Sequence, residues 1–215
     1  MINIKRILYI HGLGGGANGR VSNILRQELG EEYIIDAPEI PILPEQADEY
    51  VKNITFNTEY DLIVASSLGA FYALSAPSHI KKILINPAIY ADEYVEKYIG
   101  KGIYDFRAHR SNGDTSYTID DTFIEQLKII RQTRYIDDED MIMLRCYVST
   151  EDELLIDNYK ACEQFFYDRT IHYINGPHSV DENELKNKII PDIIADEPVY
   201  ISPWVQYGVI DKVIM

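Results

Sequence analysis

Short apolar runs alternate with amphipathic stretches along the first ninety or so residues. Runs of this kind are typical of strands buried on both faces of a parallel sheet. In the stretches between them, apolar residues recur every three or four positions, which is typical of helices with one buried stripe. The predicted strands cover residues 7–10, 33–35, 62–65 and 82–85, and the predicted helices cover residues 21–29, 47–54 and 69–76. This alternation predicts an α/β fold, with a mostly parallel central sheet flanked by helices.

The pattern changes between residues 90 and 141, where charged, tyrosine-rich segments have a helix-like spacing. We interpret this region as an excursion above the sheet that forms a lid or a wall of a pocket. Beyond it, the pattern predicts a strand at 143–148, a helix at 158–167 and a last strand at 170–174. The final stretch, 190–215, is apolar and interrupted by prolines, and the pattern does not place it. We expect one domain over residues 1–215.

Composition restricts the classes of function. A chain of 215 residues is long enough for one sizeable core. Its formal net charge of −15 argues against nucleic acid and anionic membranes as partners.

No segment has the roughly 20 consecutive apolar residues of a membrane span, and the first residues do not resemble a signal peptide, so we expect a cytoplasmic protein. Cys146 and Cys162 provide neither a disulfide framework nor a zinc motif, and we expect no metal and no cofactor.

The strongest chemical signal lies between a predicted strand and a predicted helix. Residues 65–69 read Ala-Ser-Ser-Leu-Gly. A nucleophile elbow needs small residues two positions before and after its serine because the turn is very tight. Ala65 and Gly69 satisfy that requirement around Ser67. The sequence therefore predicts Ser67 as a catalytic nucleophile, although a Ser-x-Gly turn alone is also found in proteins without this activity.

A serine nucleophile needs a general base and a carboxylate that orients the base. The loops after the last two predicted strands contain Asp152 and His178, in the chain order Ser, Asp, His of α/β-hydrolases. The sequence predicts Ser67, Asp152 and His178 as the catalytic triad. Glu151 and Glu153 flank the aspartate and are alternative candidates for the acid.

The loop after the first strand has the features of an oxyanion loop. Residues 11–16 read His-Gly-Leu-Gly-Gly-Gly. Such a loop can turn a backbone N–H group towards the elbow. We expect the N–H groups of Leu13 and Leu68 to form an oxyanion hole, with His11 in a structural role. We also expect His172, within a strand, and His79 and His109, in polar surroundings, to be structural or exposed.

Five motifs together resemble the α/β-hydrolase superfamily, and most closely the small bacterial YqiA-like esterases. They are residues 9–13 (YIHGL), 65–69 (ASSLG), 85–88 (INPA), 150–153 (TEDE) and 176–178 (GPH). The resemblance spans roughly residues 4–180 and implies an α/β-hydrolase fold with a small or absent cap and a serine esterase activity. The chain departs from the family pattern where Ala65 and Glu151 each replace a glycine and where Pro177-His178-Ser179 replaces Asn-His-Ala.

Two other functions stay open at this stage. Gly12, Gly14 and Ala17, with Asp36 about twenty residues later, have the spacing of a dinucleotide-binding fingerprint. A non-catalytic binding protein with a hydrolase-like fold is the second alternative. The function we expect is hydrolysis of a small carboxylic ester or thioester through an acyl-enzyme. The sequence does not identify the acyl group, the leaving group or whether the protein is a homodimer.

Overall fold

A computed structural model describes residues 4–136, 141, 143–166 and 170–195 of the chain. Its centre is a six-stranded sheet in which every neighbouring pair of strands is parallel. The described strands are β1 Lys5–Ile10, β2 Tyr33–Asp36, β3 Leu62–Ser66, β4 Lys81–Ile85, β5 Gly102–Asp105, β6 Ser116–Ile119, β7 Leu144–Ser149 and β8 Ile171–Ile174. The order in the sheet is β2-β1-β3-β4-β7-β8. The remaining two, β5 and β6, form a separate antiparallel hairpin. The predicted α/β fold with a parallel central sheet is confirmed.

Helices cover both faces of this sheet. They are α1 Arg20–Leu29, α2 Pro44–Asn57, α3 Leu68–Ala73, α4 Ala91–Tyr94, α5 Asp121–Thr133, α6 Asn158–Phe165, α7 Glu182–Glu184 and α8 Ile190–Ala195. A 3-10 turn at Gly30–Glu32 follows α1, and π-helical turns at Val95–Ile99 and Leu185–Ile189 follow α4 and α7. The described part of the chain has no helix that is both long enough and apolar enough to cross a bilayer.

The two apolar cores lie on opposite faces of the sheet because side chains alternate along each strand. In β1, Leu8 and Ile10 belong to the core that α2, α3, α5 and α6 cover. Ile7 and Tyr9 belong to the core that α1 and α8 cover. Burial on both faces explains why the strands are continuous apolar runs rather than alternating ones.

The sheet has its topological switch point beside β1. The chain passes from β1 to β2 on one side and then crosses to β3 on the other. The connections after β1 and β3 consequently lead to helices on opposite faces, α1 and α3. A crevice opens between such connections at the carboxyl ends of the strands, and this is where ligands bind in open α/β sheets.

The excursion between residues 90 and 141 differs from the helix-like prediction. It contains α4, its π-helical continuation, the β5–β6 hairpin and α5. The two hairpin strands have four residues each and half of their side chains are exposed, so they lack the apolar run that marks a buried strand. The last helix packs Phe123 and Leu127 into the main core. In the tail, residues 190–195 form α8, whereas residues 196–215, including Trp204, lie outside the described part of the chain.

Candidate active site

Ser67 occupies a strained turn between β3 and α3. Its φ of 53° and ψ of −121° lie outside the regions that non-glycine residues favour. A Cβ atom built on Gly69 would lie 2.3 Å from the carbonyl oxygen of Ile10, so only glycine allows α3 to approach β1 this closely. The tight approach bends the chain sharply enough to lift Ser67 out of the sheet. The geometry is that of the predicted nucleophile elbow.

The structure brings Ser67, His178 and Asp152 together in one hydrogen-bond chain. The Nε2 atom of His178 is 2.8 Å from Ser67 Oγ, and its Nδ1 atom is 2.7 Å from Asp152 Oδ2. Both the imidazole and the carboxylate are buried. The three residues follow β3, β8 and β7, respectively, so they meet at the carboxyl edge of the parallel sheet.

Backbone groups hold the Asp152 carboxylate in place. Its Oδ1 atom accepts hydrogen bonds from the amides of Leu154, at 2.9 Å, and Leu155, at 2.7 Å. These two N–H groups fix the carboxylate with its Oδ2 atom towards the imidazole. The carboxylate then accepts from His178 Nδ1–H as well, which leaves Nε2 with the lone pair that accepts the Ser67 hydroxyl proton.

The two flanking acids have a different position from Asp152. Glu151 accepts the backbone N–H of Gly176 at 3.0 Å, and Glu153 accepts the backbone N–H of His178 at 2.7 Å. Of the three candidate acids, Asp152 is the one with a hydrogen bond to the imidazole ring among the described contacts. The flanking glutamates fasten the loop in which the histidine lies, a role that the sequence analysis missed.

Asn86 and Ser149 complete the support of the histidine loop. Asn86 follows β4 and has a positive φ of 44°. Its Nδ2 atom donates to the carbonyl oxygen of His178 at 2.8 Å, while its Oδ1 atom accepts from the Ser149 amide at 2.8 Å. The Ser149 hydroxyl donates to the Gly176 carbonyl. Gly176 and His178 are therefore each held by side chains at both the backbone N–H and the backbone C=O. In the sequence this position stood out only as part of the motif at residues 85–88, which gave Asn86 no role of its own.

Leu13 and Leu68, the predicted oxyanion residues, both line the cavity that contains Ser67. The loop of Leu13 lies directly against the elbow, since a Cβ atom on Gly12 would be 3.0 Å from Ser67 Cβ. Among the residues that the structure describes, neither leucine amide donates a hydrogen bond. Two unpaired N–H groups at the lining of this cavity can donate hydrogen bonds to an oxygen on which negative charge develops.

His11 is buried behind this loop with both ring nitrogens bonded. Nε2 accepts from the Ile40 amide at 3.1 Å, and Nδ1 donates to the Gly12 carbonyl at 2.9 Å. Burial lowers the pKa of His11, and the positive charge of Arg110 acts in the same direction. The ring therefore stays neutral and fixes the loop.

His172 and Asp36, two further residues that the sequence raised, have other partners than Ser67. His172 stacks on Tyr147 with ring centroids 5.0 Å apart. Asp36 accepts hydrogen bonds from Arg6 Nε at 2.7 Å and from the Tyr60 hydroxyl at 3.0 Å. Within the described residues, no three His, Cys, Asp or Glu side chains are placed to hold a metal ion.

A cavity of about 540 Å³ opens in front of Ser67 and His178. Its far wall comes from the excursion, which contributes Tyr94 and Tyr98 after β4 and Tyr104 and Tyr117 from the hairpin. The rings stack in pairs, with centroids 6.1 Å apart in the first pair and 5.8 Å apart in the second. The volume is within the range of about 300–1,000 Å³ that small-molecule sites occupy.

Comparison with solved structures identifies the fold class. Similar folds include Est1E from Butyrivibrio proteoclasticus, solved with ferulic acid (TM-score 0.53, 15% identity, 90% of this chain and 91% of that chain covered). The esterase domain of a Rhodothermus marinus protein has a TM-score of 0.54 at 14% identity, with 89% and 85% coverage. A pyrethroid hydrolase from Sphingobium faniae has a TM-score of 0.55 at 11% identity, with 91% and 99% coverage. The chain has the α/β-hydrolase fold.

Family membership is narrower than the fold class. Residues 6–186 match the model of an uncharacterised protein family, UPF0227, and the chain belongs to that family. No curated protein matches the chain in sequence. The matched span contains the β1 loop, the elbow, Asn86, the acid loop and the histidine loop.

Proposed function

We propose that the protein is a serine hydrolase that cleaves a small carboxylic ester or thioester through an acyl-enzyme intermediate. The observation that supports this most strongly is the continuous hydrogen-bond chain from Ser67 Oγ through His178 to Asp152, with bonds of 2.8 Å and 2.7 Å. The arrangement satisfies the geometric requirement for an activated nucleophile, a base and an orienting acid.

In the acylation step, Ser67 Oγ attacks the substrate carbonyl carbon while its proton passes to His178 Nε2. The carbonyl oxygen becomes an oxyanion, which the N–H groups of Leu13 and Leu68 stabilise. The Asp152 carboxylate stabilises the imidazolium and keeps its orientation. When the tetrahedral intermediate collapses, Nε2–H gives its proton to the departing alcohol or thiol, and the acyl group stays on Ser67.

In the deacylation step, water takes the place of the leaving group. His178 Nε2 accepts one water proton as the hydroxide oxygen bonds to the acyl carbon. Collapse of the second tetrahedral intermediate breaks the bond to Ser67, whose Oγ recovers the proton from Nε2. The product is the free acid. All proton transfers use this one imidazole, so no cofactor is needed.

The dinucleotide-binding alternative has less support from the geometry. That function needs a free acidic side chain at the end of β2 for a ribose hydroxyl. The Asp36 carboxylate instead bonds Arg6 and Tyr60. A non-catalytic binding protein would have no need for the strained φ of 53° at Ser67, because strain of this kind is retained where function requires it.

A panel of 4-nitrophenyl esters and acyl thioesters of graded chain length tests the proposal. We expect hydrolysis of at least the short members by the wild-type protein. Ser67→Ala should lower kcat by a factor on the order of 10⁴ or more while the protein stays folded. Ser66→Ala is the matched control, since Ser66 Oγ bonds the Tyr9 hydroxyl rather than His178, and should lose far less.

A fluorophosphonate probe gives an independent measurement, because only an activated serine reacts with it. Mass spectrometry should locate the adduct on Ser67 and find none in Ser67→Ala. A folded wild-type protein that hydrolyses no ester and takes up no probe would contradict the proposal and favour the non-catalytic alternative. Equal losses in the Ser66 and Ser67 variants would place the nucleophile elsewhere.

A further inference from the structure

The charge of the cavity is opposite to that of the protein. The chain has 35 Asp and Glu residues against 20 Lys and Arg, and its formal net charge is −15. Among the residues that the structure describes, however, no Asp, Glu or Lys lines the cavity in front of Ser67. The fully charged side chains that do are Arg20 and Arg107. A local positive region in an acidic protein attracts an anionic ligand to that place and not to the rest of the surface.

These two arginines also differ from most others in their partners. Arg6, Arg110, Arg131, Arg134 and Arg145 each form an ion pair with a carboxylate. Within the described part of the chain, Arg20, Arg26 and Arg107 form none. Arg20 and Arg107 therefore bring two guanidinium groups without a carboxylate partner to the lining of the cavity. Arg26, later in α1, also has no carboxylate partner, but it does not line the cavity.

Arg20 is held next to the histidine loop. It is the first residue of α1, and its guanidinium donates to Ser179 Oγ at 3.1 Å and to the Val180 carbonyl. Burial raises the pKa of the Tyr9 phenol to about 12, and the nearby Arg20 charge acts against that rise. A guanidinium has five N–H donors. One NH2 group is used by the loop, so the remaining donors are available to a ligand.

Arg107 lies on the hairpin side of the cavity. It follows β5, and its backbone amide donates to the Gly14 carbonyl at 2.8 Å, which joins the hairpin to the loop after β1. Burial raises the pKa of Tyr117, and the Arg107 charge opposes that rise, so this charge also lies close to a cavity tyrosine. The two arginines thus belong to different walls of one cavity.

We propose that the substrate has a carboxylate or phosphate group on its leaving-group side and that Arg20 binds this group. The inference rests on the proposed function. His178 Nε2 passes a proton to the departing atom, so the leaving group departs beside His178, and Arg20 is tethered to the two residues that follow His178. A guanidinium recognises carboxylate and phosphate through paired hydrogen bonds. Arg107 adds to the attraction from the other wall.

Three butyrate esters that differ only in the leaving phenol provide the test. They are 4-carbamoylphenyl butyrate, which is neutral, 4-carboxyphenyl butyrate and 4-phosphonophenyl butyrate. The quantity measured is kcat/KM for each anionic ester divided by kcat/KM for the neutral ester. We expect this preference ratio to exceed one in the wild-type protein, and the two anionic esters show whether carboxylate or phosphate chemistry is recognised better.

Arg20→Gln should lower the preference ratio by about tenfold, as expected for loss of a hydrogen-bonded charge pair. Arg20→Lys should give an intermediate ratio, because it keeps the charge but loses the paired donors. Arg26→Gln is the matched control: it removes the same charge from the same helix, but Arg26 bonds the Ala17 carbonyl and does not line the cavity. We expect the wild-type ratio in that variant.

The outcomes separate the two proposals. Hydrolysis of all three esters with the same ratio in wild-type and Arg20→Gln proteins would overturn this inference and leave the serine hydrolase intact. An equal fall in Arg26→Gln would also overturn it, because the effect would then come from the general field. Phenyl hemisuccinate and phenyl succinamate differ by a carboxylate or an amide on the acyl side. If the kcat/KM ratio of this pair exceeds the preference ratio of the leaving-group esters, the anion belongs on the acyl side and the inference is contradicted. Hydrolysis of none would overturn the proposed function itself.

Discussion

Three consecutive acids in the loop after β7 reach three different donors of one short loop. Glu151 accepts from the Gly176 amide, Asp152 from the His178 ring and Glu153 from the His178 amide. Successive side chains in an irregular loop point in different directions, so one of the three meets the imidazole and the others bind the backbone on either side. The distinction depends on loop geometry, which residue type alone does not encode.

Glu153 offers a test of how strongly backbone support contributes to catalysis. Glu153→Ala leaves the His178 N–H without its acceptor, so the imidazole loses precise alignment with Ser67. We expect kcat on 4-nitrophenyl butyrate to fall by about tenfold to a hundredfold, with a smaller change in KM. Glu153→Gln keeps an acceptor oxygen and should recover most of the activity in the same steady-state assay.

Glu125→Gln, on the exposed surface of α5, serves as the control for removal of one negative charge. If Glu153→Gln is as impaired as Glu153→Ala, the carboxylate acts through its charge rather than through the hydrogen bond, which would contradict the positioning role.

His11 makes folding stability dependent on pH. Burial lowers its pKa in the folded protein, so the unfolded chain takes up this proton at a higher pH. Stability rises with increasing pH wherever the unfolded state binds more protons than the folded state. The contribution of neutral His11 is therefore complete above the ordinary histidine pKa of about 6.5 and is lost as pH falls from there towards the lower folded value.

Urea unfolding between pH 7.5 and pH 5 measures this effect. We expect the free energy of unfolding to decrease less steeply with falling pH in His11→Gln than in the wild-type protein. Burial also lowers the pKa of the half-buried His172, so His172→Gln should flatten the curve as well, but less. Parallel curves for the wild-type and His11→Gln proteins would refute the assignment of a buried neutral ring.

At the scale of elements, the contact between α3 and β1 decides where Ser67 lies. Gly69→Ala would place a methyl group 2.3 Å from the Ile10 carbonyl oxygen and 2.5 Å from that of His11. Backbone cannot yield locally here, so α3 must move away from the sheet. We expect a loss of at least about 1–3 kcal/mol in the free energy of unfolding by chemical denaturation, with esterase activity lost as well.

Gly30→Ala is the comparison for this variant. Gly30 has a φ of 64° and a ψ of −158°, a conformation that essentially only glycine adopts, but no atom lies within 4 Å of an added Cβ, so its substitution costs only the backbone strain, about 1–3 kcal/mol, and should leave the esterase activity in place. A Gly69→Ala protein that is no less stable than Gly30→Ala would mean that the elbow has more room than the structure indicates.

The elements that the sequence predicted well are those that hydrophobic burial determines. β1, β3, β4 and β7 are apolar because both faces of each are covered, and α1 has one apolar stripe, so their positions follow from local pattern. The β5–β6 hairpin was missed because its strands pair only with each other above the sheet. Ring contacts within the hairpin, of Tyr104 and Phe106 with Tyr117, accompany this pairing, and such aromatic contacts leave no continuous apolar run in the sequence.

At the scale of the whole molecule, the proposed chemistry uses only side chains and backbone amides of this chain. Activity on a small ester should therefore survive dialysis against EDTA, as a rate measurement before and after chelation would check. Titration with NAD in a calorimeter should give no saturable binding. Loss of activity on chelation would remove the serine mechanism, and micromolar NAD affinity weakened by Asp36→Ala would revive the dinucleotide-binding alternative.

The candidate site shows what sequence order can predict. Ser67, Asp152 and His178 each follow a predicted strand, and parallel strands place their carboxyl ends along one edge, so their convergence could be inferred. The hydrogen bonds with which Asn86, Ser149 and Glu153 support the histidine loop could not be inferred. They link loops whose relative positions depend on the twist and register of the sheet. The charge of the cavity was equally hidden, since it depends on which residues face inward.

The Ser67–His178 hydrogen bond joins residues 111 positions apart in the chain, and this separation has a consequence during synthesis. A ribosome that adds about 5–20 residues per second makes the elbow roughly 5–20 s before it makes the base. Throughout that interval the nascent chain contains the proposed nucleophile without its proposed base. Among the described strands β8 is the last to be made, so in the proposed mechanism Ser67 becomes reactive only after the other described strands of the sheet exist, and the shorter nascent chain escapes acylation.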